Sequence, residues 1–291
     1  QEELDGMEFE AAHNMVKKRL LYKNTFTETE KSWLSAYEAY GKKGRKKGFG
    51  PGFLPILENQ KERTERRMYL GKKLDMRAIA DPGGAVYKRT FPGKKTDAVV
   101  CVLVDNSGSM IGHRIEAAKV AALTLYDFCR KAGIPILVYG HHTDGYDHRD
   151  PSEETVYFHS YAEFEEDRND RLRIITMEND GSNRDGAALL FMANKLLKRP
   201  EKQKLLFLIS DGLPNATRYF GSYATADLKR LGKTWKEGIL FQAAAIGWDK
   251  EAIRKIYGNA YLDISSLEQL SHPTDKAAGK ITSKSKLKGG A

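Results

Sequence analysis

The chain has only two cysteines in 291 residues, Cys101 and Cys129, each inside an apolar run. That excludes a disulfide framework and leaves two buried, reduced thiols as the expectation, and with them a cytoplasmic protein. No stretch of about 18 apolar residues occurs, the length a membrane-spanning helix needs, so no membrane partner is expected. The opening QEELDGMEFE is acidic and lacks the apolar core of a secretory signal. There is no G-x-x-x-x-G-K-[ST] phosphate loop. The nearest stretch, AAGKITS, lacks the first glycine and a preceding strand.

What is present is a 41 % apolar fraction, enough for a sizeable core, and a net charge of +9 that is unevenly spread. Residues 1–100 carry 21 Lys and Arg against 14 Asp and Glu, and residues 271–291 carry five Lys against one Asp. Basic ends around a near-neutral middle could address nucleic acid. The basic run GKKGRKKGFG has little aromatic interleaving, however, so a solvated surface is the simpler reading.

Spacing predicts helix over 7–40, with Thr27 and Glu30 in a capping-box pattern. Residues 41–55 form a glycine-rich basic break, 56–73 read as a charged helix, and 74–97 as a turn, a short strand and a second turn. From residue 98 strand-like runs at 98–104, 134–140, 172–177, 204–210, 239–246 and 260–264 alternate with helices at 113–131, 185–198, 224–236 and 249–257. Several of these strands are apolar throughout, the mark of a parallel sheet covered on both faces. The expected class is therefore α/β, a doubly wound, mostly parallel sheet flanked by helices with a helical N-terminal extension. Residues 271–291 read as a disordered basic tail. Ligands of such sheets bind beyond the carboxyl ends of the strands, at the switch point.

Three loops at that edge are rich in oxygen donors. After the first strand comes Asp105-Asn106-Ser107-Gly108-Ser109; after the strand 204–210 comes Asp211; before the helix at 185 comes DGSNRDGAAL. A serine nucleophile elbow wants glycines two residues either side of the serine, and Asp105 and Ser109 occupy those places around Ser107. A phosphoaspartate enzyme of the haloacid-dehalogenase type wants a second acid two residues after Asp105, where Ser107 stands. A cradle for a hard cation, Mg²⁺ or Mn²⁺, suits the oxygen-only donor set.

DNSGSM resembles the D-x-S-x-S signature of von Willebrand factor A (VWA) domains, the metal-ion-dependent adhesion site, and LFLISDG resembles the strand that delivers their second aspartate. The resemblance covers roughly 97–270. It implies Ser107 and Ser109 as direct ligands, Asp105 and Asp211 as ligands directly or through water, and a partner protein whose acidic side chain completes the site. The common threonine of the third loop is replaced by Asn183, followed two residues on by Asp185. Either could face the metal. This N-x-D-G-x-A-L loop, with LLKRPEKQKLLFLISDG, resembles the branch of CobT-type cobaltochelatase subunits and NorD- and CoxE-like proteins. Residues 1–73 then form a helical basic region, 74–97 the short lead-in segment of that branch, and 98–270 the VWA domain.

The branch implies a non-catalytic adaptor that docks an AAA+ ATPase of the MoxR or chelatase type to a client, in metal insertion or cofactor assembly. Around the site, YGHHTDGYDHRD at 139–150 offers His141, His142 and Asp144 as a partner-selecting rim, or as a second metal site. Tyr219 is expected in a docking wall, and Arg184 as a clamp for a partner carboxylate.

Overall fold

The apolar run Ala98–Asp105 has no polar face, and in the computed structural model all eight of its residues are buried. That strand, β5, can only sit in the middle of a sheet covered on both sides. The structure describes residues 11–44, 63–79, 82–91, 97–145, 150–234, 238–246 and 250–263. The tail at 271–291 and the break after residue 44 lie outside them. The chain divides into two units, one of residues 1–49 with 98–291, the other of 50–97.

The larger unit is built on a seven-stranded sheet. Its strands are β1 (Lys17–Tyr22), β5, β6 (Ile136–Thr143), β7 (Thr155–Ala162), β8 (Gln203–Ser210), β11 (Leu240–Ala245) and β12 (Tyr261–Asp263), in the order β1-β7-β6-β5-β8-β11-β12. All neighbours are parallel except β6 and β7, which form an antiparallel hairpin. From β5 the chain goes outward to β6 on one side and later to β8 on the other. The switch point therefore lies between the carboxyl ends of β5 and β8.

Helices cover the faces: α2 (His113–Ala132), α4 (Asp185–Leu197), α5 (Gly221–Thr234) and α6 (Lys250–Tyr257), with the short α3 (Asp170–Ile175) beside β7; α1 (Glu28–Gly44) precedes them in the chain. One core layer joins Val99, Cys101 and Leu103 of β5 to Ala188, Leu189, Met192 and Leu196 of α4 and to Leu206 and Leu208 of β8. α2 stops at Gly133, whose left-handed φ of 69° lets its N–H reach back to the carbonyls of Cys129 and Arg130. Both cysteines are free and buried. Among the described residues no helix is long and apolar enough to cross a membrane.

The smaller unit holds a three-stranded antiparallel sheet, β2 (Arg63–Met68), β4 (Tyr87–Phe91) and β3 (Lys73–Leu74), in the order β2-β4-β3. Its buried Asp75 accepts from Arg66 at 3.0 Å. A short ribbon, β9 (Asn215–Ala216) with β10 (Tyr219–Phe220), stands beyond β8.

Three expectations about elements need correction. Residues 17–22 are an edge strand parallel to β7, where helix was expected. Residues 63–68 are a strand rather than part of a helix. Residues 170–175 are a helix where a strand was expected over 172–177, held by buried Arg173, which binds Asp170 at 2.6 Å and the Tyr161 carbonyl at 3.0 Å. The strand β7 had not been foreseen.

Candidate metal centre at the sheet switch point

β5 delivers Asp105 as its last residue, fully buried. The chain then turns, and the Asp105 carboxylate takes hold of the turn: Oδ1 accepts from the Ser107 N–H at 2.8 Å. Its Oδ2 accepts from Ser210 Oγ at 2.9 Å and from Asn183 Nδ2 at 3.0 Å. Ser107 and Ser109 point their hydroxyls at each other, 3.0 Å apart, and Ser109 Oγ donates to Asp211 Oδ1 at 2.8 Å. Asp105, Ser107, Ser109 and Asp211 thus converge from two adjacent strand ends, as the sequence implied.

The loop is held from behind. Asn106, buried between the two acid-and-hydroxyl residues, donates to the Tyr161 hydroxyl at 2.8 Å and the Glu178 carbonyl at 2.7 Å. It lies so close to Gly140 that a Cβ there would come within 2.3 Å of Asn106 Oδ1. The Gly108 N–H donates to the Gly181 carbonyl at 2.9 Å, tying the first loop to the third.

The third loop brings both of its residues up to the cluster. Asn183 is the one that touches Asp105. Its amide nitrogen also lies 3.3 Å from Asp185 Oδ1, while its carbonyl oxygen accepts from the Asn215 N–H at 3.0 Å. Asp185 opens α4 and receives His141 Nε2 at 3.0 Å; the other ring nitrogen of His141 lies 3.2 Å from the Val104 carbonyl.

The electrostatics follow from burial. Asp105 is raised above the usual carboxylate range, first by desolvation and then by the negative field of Asp185. Asp211 is raised by burial and by Asp105, against its bonds from Ser109 and Arg114. Burial works against a charged His141, but the hydrogen bond and charge of Asp185 outweigh it and the imidazole pKa rises. Arg114 was not singled out by the sequence reading. It donates to Asp211 Oδ2 at 2.5 Å and to the Ser109 carbonyl at 2.7 Å, and only its place as the second residue of α2 could have pointed to it.

The donor set is oxygen only, two carboxylates and two hydroxyls, which fits a small hard cation rather than a soft metal. Among the described residues no three His, Cys, Asp or Glu side chains form a metal-holding group. Any cation there depends on the serines.

The expected docking residues lie elsewhere than anticipated. β6 runs on to Thr143, so His141 and His142 are strand residues, not part of a loop, and both are buried. His142 stacks on Tyr157 and shares a hydrogen bond of 2.9 Å with His159. Arg184 is 1 % exposed: it grips Glu154 with Nε and Nη2, donates to the Thr217 carbonyl and lies over the Tyr219 ring. It pins three segments together and cannot clamp a partner. Tyr219 is fully buried, its hydroxyl on Asp227 at 2.6 Å. Of that group only Asp144 is exposed, and it accepts from the Thr155 N–H at 2.7 Å.

A Bacillus subtilis (strain 168) protein, described as the uncharacterized protein YojO, is 27 % identical over 192 residues, which is 63 % of this chain and 30 % of that protein. The chain thus spans less than a third of that relative's length. Similar solved structures include a von Willebrand factor type A protein from Catenulispora acidiphila, at 17 % identity and a TM-score of 0.42, covering 62 % of this chain and 43 % of that one. Another is the pilus adhesin SpaC of Lactobacillus rhamnosus GG, at 16 % identity and a TM-score of 0.44, covering 62 % of this chain and 30 % of that one. The family model of the cobalamin biosynthesis protein CobT VWA domain matches residues 86–184 and 179–283. With most of its length matched, and with the sheet order and strand-end chemistry described above, the chain belongs to the CobT-type VWA domain family.

Proposed function

We propose that this chain is a metal-dependent protein-binding module, an adaptor that presents a divalent cation, Mg²⁺ or Mn²⁺, to an acidic side chain of a partner. The observation that carries the reading is the convergence of Asp105, Ser107, Ser109 and Asp211: Asp105 accepts from the Ser107 N–H at 2.8 Å, the two serine hydroxyls lie 3.0 Å apart, and Ser109 Oγ donates across to Asp211 at 2.8 Å. Two carboxylates raised by burial and by neighbouring negative charge would be relieved by a cation beside them. Ser107 and Ser109 would hold it directly. Asp105, anchored by Ser210 and Asn183, would orient the first loop and supply negative charge from behind. A cation with largely neutral direct ligands keeps enough charge to attract an anionic oxygen from outside.

Family membership supports placing the module in metal insertion or cofactor assembly related to cobalamin, beside an AAA+ ATPase. The absence of a phosphate loop from the sequence assigns ATP hydrolysis to that partner. Calorimetric titration of Mg²⁺ and Mn²⁺ into the metal-stripped protein tests the reading. Saturable binding should appear in the wild type, vanish in Asp105→Ala and persist, weakened, in Asp185→Ala. Equal binding by wild type and Asp105→Ala would sink it.

A further inference from the structure

The segments that carry or anchor the oxygen cluster also expose large apolar side chains. Ile111, two residues after Ser109, is 70 % exposed; Leu213, two residues after Asp211, is 41 % exposed; Phe220 is 62 % exposed. The link between the first two is short, because Ser109 and Asp211 are themselves hydrogen-bonded at 2.8 Å. Phe220 is paired with Asn215 across the β9–β10 ribbon, and the Asn215 backbone is tied to Asn183, the residue that touches Asp105. Three segments tied to the cluster, the turn after β5, the turn after β8 and the ribbon, therefore each expose one large apolar residue. Scattered exposed apolar residues need no explanation, whereas a set gathered around a polar centre marks a binding surface. Positive charge is at the same place: the Arg114 guanidinium, 33 % exposed, sits on Asp211 and on the Ser109 carbonyl.

We infer that the partner presents its metal-seeking carboxylate on an exposed segment flanked by large apolar side chains, which pack on Ile111, Leu213 and Phe220. This rests on the metal-dependent reading above and names the chemistry of the occupant. An acid-rich segment would satisfy the cation and Arg114 but leave the apolar rim wet. An apolar segment without an acid would cover the rim and leave the cation unsatisfied. A carboxylate with apolar neighbours matches both. The rim then excludes water from around the ion-to-carboxylate contact, the arrangement in which a polar anchor contributes most to affinity.

The probe is a displayed library of twelve-residue peptides with one fixed central Asp and random flanks, selected on the full chain in Mn²⁺. Enriched peptides should carry Leu, Ile, Phe or Met within three positions of the Asp. Their affinity should fall at least tenfold for the triple variant I111S/L213S/F220S. The rim residues are exposed, so that variant should keep the wild-type melting temperature and Mn²⁺ isotherm, and both are measured alongside. Selected peptides that need Mn²⁺ and Asp105 but have polar flanks, or that bind the triple variant equally well, overturn the inference and leave the metal reading intact. Peptides that bind equally in EDTA or to Asp105→Ala overturn the metal reading itself. A library yielding no binder, or sedimentation showing that the rim is buried in a dimer of this chain, also overturns the inference, and the Mn²⁺ titration then decides the metal reading by itself.

Discussion

The Arg184 guanidinium and the Glu154 carboxylate face each other at 2.7 Å, with neither side chain reaching solvent. A buried pair is weak evidence of net stabilisation, but removing one member strands the other charge. Arg184→Met should therefore cost about 3–5 kcal/mol in chemical denaturation, and adding Glu154→Gln should restore a substantial part. Mn²⁺ affinity of the folded fraction should stay as it was. A loss below about 1 kcal/mol would show that Glu154 finds other partners. A second residue-scale test concerns His159, which burial and the neighbouring His142 and His141 hold down to about 4. The Asp180 carboxylate opposes that shift without reversing it. An unfolded histidine takes its proton near pH 6.5. As pH falls from about 6.5 toward 4, the unfolded chain binds a proton that native His159 refuses, so stability declines by up to about 1.4 kcal/mol per pH unit per excluded proton. Above pH 6.5 this contribution is flat. Urea midpoints at pH 7.5, 6 and 5 should fall more steeply for the wild type than for His159→Gln, and parallel profiles would refute the assignment. At this scale Asp105, Ser107, Ser109 and Asp211 were legible because a strand end fixes where its next residues go. Arg114 and Asn215 were not, because only tertiary folding brings them to the cluster, and Ser210, beside Asp211 at the same strand end, was passed over. Arg184 and Tyr219 were misplaced for the related reason that sequence shows polarity but not burial.

At the scale of elements, the start of α4 is constrained by what packs on it. A Cβ on Gly186 would lie 2.4 Å from Asp227 Oδ2, 2.5 Å from His13 Nε2 and 2.5 Å from the Tyr219 hydroxyl. Those three groups are already hydrogen-bonded to one another through Asp227. Helix propensity alone would favour Ala over Gly by about 1 kcal/mol. Here the sign should reverse: Gly186→Ala should destabilise by about 1–3 kcal/mol through overpacking, read from the melting temperature, and a stabilised variant would refute the close approach. The element pattern also explains what could be read beforehand. β5 and β8 are continuous apolar runs that nothing but a buried strand accommodates. The segment KKRLLY at 17–22 is nearly all exposed and becomes a strand only because β7 offers its edge, so its own sequence carries no period-two signal. β7 is different: in TVYFHSYA the residues Val156, Phe158 and Ser160 alternate inward, and that alternation was there to be found. The run at 172–177 is short enough that apolar content alone does not separate strand from helix. Buried Arg173, bonded to Asp170 three residues back, decides for the helix.

At the scale of the whole molecule, residues 1–49 belong to the larger of the chain's two units. The larger unit takes β1 from that segment as the edge strand on β7, and takes buried His13 as the partner of Asp227 at 2.8 Å. Deleting residues 1–22 would remove the strand that satisfies one edge of β7 and would leave the buried Asp227 carboxylate without its imidazole. Unpaired edges template association with other chains, and loss of a buried hydrogen-bond partner to a charged group costs about 1–3 kcal/mol. Among the described residues, the strands of the 50–97 unit form a sheet of their own, β2-β4-β3, apart from the seven-stranded one. Replacing residues 50–97 by a flexible Gly/Ser linker should therefore leave a cooperative melting transition and the wild-type Mn²⁺ isotherm. Deletion of 1–22 should lower the midpoint by several degrees and promote aggregation, on the scale of about 4 °C or less per kcal/mol for a domain of this size. Thermal melting and calorimetry on the two variants side by side decide the matter. If the excision rather than the truncation abolished metal binding, the smaller unit would have to be counted as part of the site.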